Sequence, residues 1–177
     1  MDTLAKYSIP MRFWHWLTSL VIISLLIVGF YMESLPNSAE GKWPLYGLHK
    51  AAGVALLGLM VLRLLTRLFS QVPALPAQIT RPQAVISKIH HVLLYAAVLV
   101  MAVSGYVMSA AFPKANGVDF FGLFVIPDLI RKSEAISQVA NQIHGITAWV
   151  LVALIVVHVL ASIKHHLQGV PVLKRMM

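Results

Sequence analysis

The sequence predicts an all-α protein, a transmembrane four-helix bundle with both termini in the cytoplasm. Hydrophobic residues make up 59% of the 177 residues, charged residues only 11%, and the mean hydropathy is +0.80. This composition lies far outside that of soluble domains. The apolar residues fall into four stretches, each long enough to cross a bilayer as a helix, and lysine and arginine are concentrated in alternate connections.

The four predicted spans belong to one domain, residues 1–177, and cover about 13–32, 45–65, 89–112 and 142–163. The first span has no small-residue cleavage site before Glu33, so we expect it to be retained rather than removed as a signal peptide. Turn-forming and proline-bearing connections separate the spans. The stretch Ser133–Ala140, just before the fourth span, is a candidate for a short interfacial helix.

The basic residues set the orientation. The N-terminus, the second connection and the C-terminus hold nine of the fourteen lysines and arginines, and the first and third connections with their flanks hold five. Five of the six acidic residues lie on that second side. Because positive residues stay in the cytoplasm, both termini should be cytoplasmic. The same rule explains the net charge of +8 without a nucleic-acid partner, and we expect a multi-pass protein of the bacterial inner membrane.

The absence of cysteine limits the chemistry that the chain can support. It excludes disulfides, iron–sulfur clusters and covalent haem attachment, so any haem is held non-covalently, with histidine as the obvious ligand. No Walker loop, G-x-G-x-x-G, H-E-x-x-H or G-x-S-x-G motif occurs. A soluble-type active site therefore has no support, and we assign no catalytic residue.

Two histidines inside the fourth span, His144 and His158, are fourteen residues apart. In a helix this spacing gives a rise of about 21 Å and returns to within about 40° of the starting direction. Both imidazoles therefore leave one face at two depths of the membrane, as two metal centres in series require. Histidines inside a membrane are rare, and by default they mark function.

The same spacing relates residues on the other three spans and groups them into two layers. The cytoplasmic layer contains His15, Arg63, His91 and His158, and the outer layer contains Gly29, His49, Gly105 and His144. The outer layer has only two histidines, so its ligand pair is His49 with His144. The glycines, and Gly53 one turn after His49, either leave room for a flat macrocycle or serve ordinary helix packing.

In the cytoplasmic layer three histidines compete for two axial positions. His158 is the deepest. We prefer His15 as its partner because His91, like His90, lies at a predicted helix end, where a histidine can be merely solvated. Three basic residues lie beside the proposed sites: Arg12, Lys50 and Arg63. They are candidates to pair with haem propionates, or they are ordinary flanking charges.

Together these residues resemble the prokaryotic cytochrome b561 family of four-helix dihaem membrane cytochromes. The carriers are Arg12-Phe13-Trp14-His15-Trp16, His49-Lys50-Ala51-Ala52-Gly53, Arg63 with its neighbours, His91 to Tyr95, and His144 and His158 followed by His165-His166. The resemblance implies two b-type haems with bis-histidine ligation, His15 with His158 and His49 with His144. It also implies electron exchange with membrane quinone, and superoxide oxidation in at least one branch.

Three functions stay open at this point. The first is a superoxide:ubiquinone oxidoreductase, with quinone near Lys164, His165 and His166 and a small anionic donor met at the periplasmic face. Four basic residues are candidates for a cationic funnel, a group of positive charges that raises the local concentration of such an anion: Lys42, Lys50, Arg131 and Lys132. The second is a membrane anchor that passes electrons from a periplasmic redox protein to quinone. The third, a metal or proton transporter, lacks acidic residues within the spans.

Overall fold

Four long helices dominate the computed structural model, which describes residues 5–177. In chain order the elements are α1 (Ile9–Ser34), α2 (Lys42–Phe69), α3 (Arg81–Ala111), β1 (Val118–Phe120), β2 (Phe124–Ile126) and α4 (Glu134–Leu167), followed by a short 3-10 turn (Leu173–Arg175). Each of the four α-helices is long and apolar enough to cross a membrane. The predicted all-α, four-helix transmembrane architecture is confirmed.

Local signals explain where the helices begin. A proline occupies the first turn of both α1 and α3, where its missing N–H is not needed. Thr80 and Gln83 form a capping box at the start of α3, each side chain bonding the other's backbone N–H. Ser133 caps α4 by accepting a hydrogen bond from the Ile136 N–H at 3.4 Å.

Two details differ from the sequence prediction. The stretch Ser133–Ala140 does not form a separate interfacial helix, because α4 begins at Glu134 and continues unbroken to Leu167. Helix α3 begins at Arg81, eight residues before the predicted span starts, so His90 and His91 lie more than two turns inside it. The predicted spans otherwise fall within the helices, except that 89–112 runs one residue past α3.

The helices pack as two pairs. Helix α1 runs along α2, α3 runs along α4, and α2 and α3 meet over a shorter length. Within residues 5–177, the backbones of α1 and α2 make no comparable approach to α4. A cleft therefore separates α4 from the α1–α2 pair, and only side chains reach across it.

An apolar layer fills the middle of the bundle. Its buried members are Ile22, Leu56, Ala97, Val98 and Leu151. Leu151 lies seven residues from both His144 and His158, or about 10.5 Å along the axis from each. Most other large apolar side chains face outward, as in Ile27, which is 65% exposed. That exposure suits a lipid environment.

Both chain ends lie at one end of the bundle, here called the terminal end. The Tyr7 N–H donates to the Arg175 carbonyl at 3.1 Å. The buried Arg175 guanidinium donates to the carbonyls of Ala5 (2.9 Å) and Ala74 (2.8 Å), so it joins the first segment to the α2–α3 connection. The opposite end, which carries the α1–α2 connection and the β-hairpin, is called the hairpin end.

Candidate functional site

At the hairpin end, two histidines face each other across the cleft. The ring centres of His49 on α2 and His144 on α4 are 6.2 Å apart, with the planes 80° to one another. His144 Nδ1 lies 2.9 Å from the Met101 carbonyl, which can only accept, so Nδ1 carries the proton. The Nε2 lone pair of His144 is thereby left free, as in most metal-binding histidines.

The surroundings of His49 leave it less constrained. Its Nδ1 is buried and has no hydrogen-bond partner among residues 5–177, which calls for an explanation in a native structure. A Cβ at Gly29 would lie 3.3 Å from His49 Cε1, and one at Gly105 would lie 2.9 Å from His144 Cε1. These two glycines therefore make room for the imidazole rings themselves, a role that differs from both alternatives left open by the sequence, clearance for a macrocycle and ordinary helix packing.

A narrow cavity of about 40 Å³ adjoins this pair. Besides the two histidines, it is lined by Ile22, Leu25, Leu26, Gly53, Leu56, Val98, Met101, Ala102 and Leu151. Gly53 opens onto free space, since a Cβ there would meet nothing within 4 Å. The lining is apolar apart from the two imidazoles, which suits a flat apolar group held by its metal.

At the terminal end, three imidazoles surround His158. The ring centres lie 6.3 Å from it for His15, 5.4 Å for His91 and 5.9 Å for His90. The ring of His90 is nearly parallel to that of His158, at 6°, and its Nε2 is buried without a partner in the described residues. His90 is a site residue that the sequence analysis missed. The capping box at Thr80 was the available signal, because it places His90 well inside α3.

Arg63 lies behind His15 rather than at the open cleft. Its guanidinium donates to Thr18 Oγ1 and to His15 Nδ1, both at 2.7 Å, and lies 5.2 Å above the Tyr95 ring centre. These contacts engage Arg63 with protein groups, although the sequence made it a candidate for haem propionates.

The hydrogen bonds of His15 and His91 lead to opposite protonation patterns. A guanidinium only donates, so His15 Nδ1 accepts and its proton sits on Nε2. His91 Nδ1 lies 2.6 Å from the Ser87 carbonyl and therefore donates, which frees Nε2. Protonation thus favours His91 as a ligand, whereas the ring separation favours His15, because 6.3 Å matches the 6.2 Å of the outer pair. We give more weight to the ring separation. A proton can move from one ring nitrogen to the other while the helices stay in place, whereas the ring separation is fixed by helix packing.

The remaining predicted site residues are Arg12, Lys50, His165 and His166. Arg12 Nη1 donates to the Met177 carbonyl, so Arg12 holds the C-terminal segment. Lys50 is half-buried, next to His49. His165 is half-buried and His166 exposed, and in the described part of the chain neither imidazole forms a hydrogen bond.

Two members of the expected cationic funnel are engaged in the fold. Lys132 Nζ donates to the carbonyls of Ala110 (3.1 Å) and Ala115 (2.8 Å) and forms an ion pair with Asp128 at 2.6 Å. Lys42 is buried, and its Nζ donates to the Leu35 carbonyl at 2.7 Å and to Asn37 Oδ1 at 3.0 Å. Lys50 and Arg131 are the two that remain available.

Asp128 is the acidic partner in this region. Burial alone would raise its pKa, but hydrogen bonds from Lys132 and the Gly117 N–H, with the charges of Lys132 and Lys50, outweigh burial and lower it. The carboxylate therefore stays ionised and offsets part of the positive charge near Lys50.

The donor set fits a metal that brings its own equatorial ligands. Among residues 5–177, no group of three or more His, Asp or Glu side chains is placed to hold a bare metal ion. A bare zinc ion needs at least three protein ligands. A haem iron needs only the two axial ligands that a pair such as His49 and His144 provides.

Comparisons with known proteins agree with this geometry. The chain is 27% identical over 165 residues to Cytochrome b561 homolog 2 of Escherichia coli (strain K12), across 93% of this chain and 87% of that relative. Residues 6–177 match the family described as prokaryotic cytochrome b561. The protein is accordingly a multi-pass bacterial membrane protein and electron carrier of a kind that uses b-type haem. Because the match includes all four helices, the chain belongs to the prokaryotic cytochrome b561 family.

Proposed function

We propose that the protein is a dihaem cytochrome b of the inner membrane that passes electrons between a periplasmic donor and ubiquinone. The observation that carries the proposal is the occurrence of two histidine pairs at two depths with nearly equal ring separations, 6.2 Å and 6.3 Å. Two imidazoles that share one metal, each with a metal–nitrogen distance of about 2 Å, place their ring centres roughly 6 Å apart.

In this proposal His49 and His144 hold the haem at the hairpin end, and His15 and His158 hold the haem at the terminal end. Bound haem supplies one-electron redox chemistry at its iron. Because two histidines would hold each haem, oxygen binding at the metal would be disfavoured and outer-sphere electron transfer would be favoured. Gly29 and Gly105 hold the outer imidazoles in place by leaving room for them.

The basic residues orient the proposed electron path. The terminal end carries nine of the fourteen lysines and arginines, which assigns it to the cytoplasm and the hairpin end to the periplasm. A donor at the periplasmic face would then reduce the His49–His144 site first. Ubiquinone would be reduced near Lys164, His165 and His166. The imidazoles of the two histidines can donate a hydrogen bond to a quinone carbonyl and deliver protons.

Superoxide is the donor that we propose. Two superoxide ions lose one electron each and leave as dioxygen, and one ubiquinone takes up both electrons and two protons to form ubiquinol. Lys50, beside His49, supports attraction of a small anion, although Asp128 offsets part of its charge. Lys132, which the sequence assigned to this role, supports the fold instead.

The test is steady-state ubiquinone reduction by superoxide in the purified protein, with haem stoichiometry measured on the same sample. We expect two haems per chain and reduction without any added protein. Reduction that requires a periplasmic redox protein would favour the membrane-anchor function, and absence of haem would overturn both. The quinone site is tested by His165→Ala, which should slow quinone reduction while leaving both haem signals intact; unchanged quinone kinetics would reject that site.

A further inference from the structure

The β-hairpin at the hairpin end exposes a group of large apolar side chains, here called the hairpin patch. Its members, with their exposed fractions, are Phe121 (49%), Leu123 (76%), Phe124 (56%), Val125 (58%) and Leu129 (77%). The strands pair in antiparallel register, with Val118 opposite Ile126 and Phe120 opposite Phe124. Val118 and Phe124 share one face of the hairpin, which is packed at Val118 and open at Phe124, and Val125 lies on the other face. The exposed apolar side chains therefore gather at the tip and along the second strand.

The segment after the hairpin folds back along α3. The Tyr106 hydroxyl donates to the Pro127 carbonyl at 2.8 Å and accepts from the Leu129 N–H at 3.0 Å. Tyr106 lies five residues before the end of α3 at Ala111, or about 7.5 Å inside the helix, and helix side chains tilt further towards the N-terminus. Leu129 is therefore held beside the apolar body of a membrane-spanning helix and not above its end.

Polar contacts fasten this segment to the helix ends. Asp128 accepts from the Gly117 N–H at 2.8 Å and pairs with Lys132, whose Nζ also reaches the Ala110 carbonyl. The Ser133 N–H donates to the Ala111 carbonyl at 2.8 Å. The depth of the hairpin patch is thus set by hydrogen bonds to α3.

The turn of the hairpin does not explain its apolar side chains. Phe121 and Gly122 both have positive φ angles, 55° and 74°, where glycine or asparagine satisfies the turn without cost. An aromatic side chain in this conformation is unfavourable in itself. Its placement at an exposed tip indicates that an apolar environment receives it.

Two basic residues flank the hairpin patch. Lys114 precedes β1 and Arg131 follows Leu129, and both are exposed. An apolar surface bordered by lysine and arginine is typical of segments that lie in the headgroup region of a bilayer. Val103 lies one turn before Tyr106 on α3 and is 45% exposed, so this side of the helix also presents an apolar side chain outward.

We infer that the hairpin patch docks on the phospholipid surface of the outer leaflet, with Leu129 and the hairpin tip at the boundary between headgroups and acyl chains. Lys114 and Arg131 then face lipid phosphates. This contact fixes the height of the connection between α3 and α4 relative to the bilayer. It is independent of whether haem, superoxide or quinone binds as proposed.

The chain contains no cysteine, so single-cysteine variants can carry a nitroxide spin label without background. Leu129→Cys and Phe124→Cys report on the patch, and Asn116→Cys is an exposed control in the same connection. Ile27→Cys is a lipid-facing control within α1. In phospholipid nanodiscs, collision of each label is measured with dioxygen, which concentrates in lipid, and with a nickel chelate, which stays in water.

We expect labels at positions 124 and 129 to collide more with dioxygen than with the chelate, as at position 27, and the label at 116 to show the reverse. Leu123→Cys repeats the measurement should either patch variant fail to purify. Chelate collision at 124 and 129 equal to that at 116 would overturn the inference. The patch would then face water, where a periplasmic protein could bind it.

Discussion

The two ends of the bundle hold histidines in different ways. At the hairpin end one pair faces a cavity, with a glycine against each ring and one imidazole nitrogen left unpaired. At the terminal end four histidines lie close together with a half-buried arginine. In the described residues no third imidazole competes at the hairpin end, so geometry alone favours the outer pair that we propose. The inner set depends on hydrogen bonds and protons, so similar spacing along the helices does not give equivalent sites.

Charge separates the two ends further. In the described residues the one ion pair is Lys132–Asp128, at the hairpin end. Arg63, at the terminal end, is bonded only to the neutral groups Thr18 and His15 and to the face of Tyr95. Even partial burial of a guanidinium without a carboxylate is costly, so this half-buried cation is available to stabilise added electron density nearby.

The largest expected effect is loss of a whole haem at the outer pair. His49→Ala and His144→Ala should each remove the same haem and leave one equivalent per chain, because each variant lacks one axial ligand. Reduced-minus-oxidised spectra with haem quantification measure this, and the exposed His166→Ala is the control. Two full haem equivalents in either variant would show that the outer pairing is wrong.

At the terminal end, one pair of variants decides whether His15 or His91 is the second ligand. His15→Ala should lose the low-spin absorbance of the second haem, and His91→Ala should keep it. The reason is that His15 and His158 reproduce the ring separation of the outer pair. The opposite result would assign the site to His91 and mean that the protonation pattern, and not the spacing, identifies the ligand.

Asp128→Asn tests the ion pair that is present at one end only. We expect a loss of about 2 kcal/mol in the free energy of unfolding near neutral pH, the usual scale for hydrogen bonds to a charged group. The pKa of Asp128 is lowered by folding, so its contribution is present above the unfolded pKa and disappears as pH falls through the folded value.

The difference in stability between parent and Asp128→Asn should accordingly shrink below about pH 3.9, the ordinary pKa of an aspartate. Chemical unfolding in detergent at several pH values measures it. Asp119→Asn, at an exposed carboxylate in the same hairpin, is the control and should change little. If the difference in the free energy of unfolding between the two proteins were the same at every pH, Asp128 would act through its shape and not through its charge.

Arg63→Gln tests the cation at the terminal end, which has no carboxylate partner. Removing the charge should lower the reduction potential of the haem that His158→Ala abolishes, by an amount on the order of 59 mV, one tenfold step for one electron. Potentiometric titration in the parent and in the variant measures this, with the exposed Arg67→Gln as control. A shift confined to the other haem would contradict the placement of His15 and Arg63 at one site.

The smallest effect concerns the approach of an anion to the outer pair. Lys50→Gln should slow haem reduction by superoxide severalfold at low salt and make the rate less dependent on ionic strength. Stopped-flow rates against salt measure this, with Lys114→Gln as a matched control. Lys132→Gln is unsuitable, because it breaks the bonds to Ala110, Ala115 and Asp128. If the rate in the parent protein does not depend on ionic strength, the argument that Lys50 attracts superoxide fails.

Sequence spacing predicted the depth of the histidines well, because helix geometry is rigid and fourteen residues bring His144 and His158 to one face. It did not predict which groups lie behind the rings. Gly29 and Gly105 contact imidazoles, a detail set by helix rotation. His90 is missed because the sequence prediction starts the third span eight residues too late. The sequence assigns Lys42 and Lys132 to a cationic funnel because carbonyl partners in connections leave no sequence pattern.

The apolar layer of Ile22, Leu56, Ala97, Val98 and Leu151 also governs the electrical consequence of turnover. It offers no hydroxyl, amide or imidazole that could pass a proton from one end to the other. In the proposed orientation, an electron that moves from the hairpin end to the terminal end crosses this layer without a compensating proton, so each turnover is electrogenic. A full crossing against the membrane potential costs about 2.3 kcal/mol per 100 mV, so an energised membrane would slow the reaction that charges it.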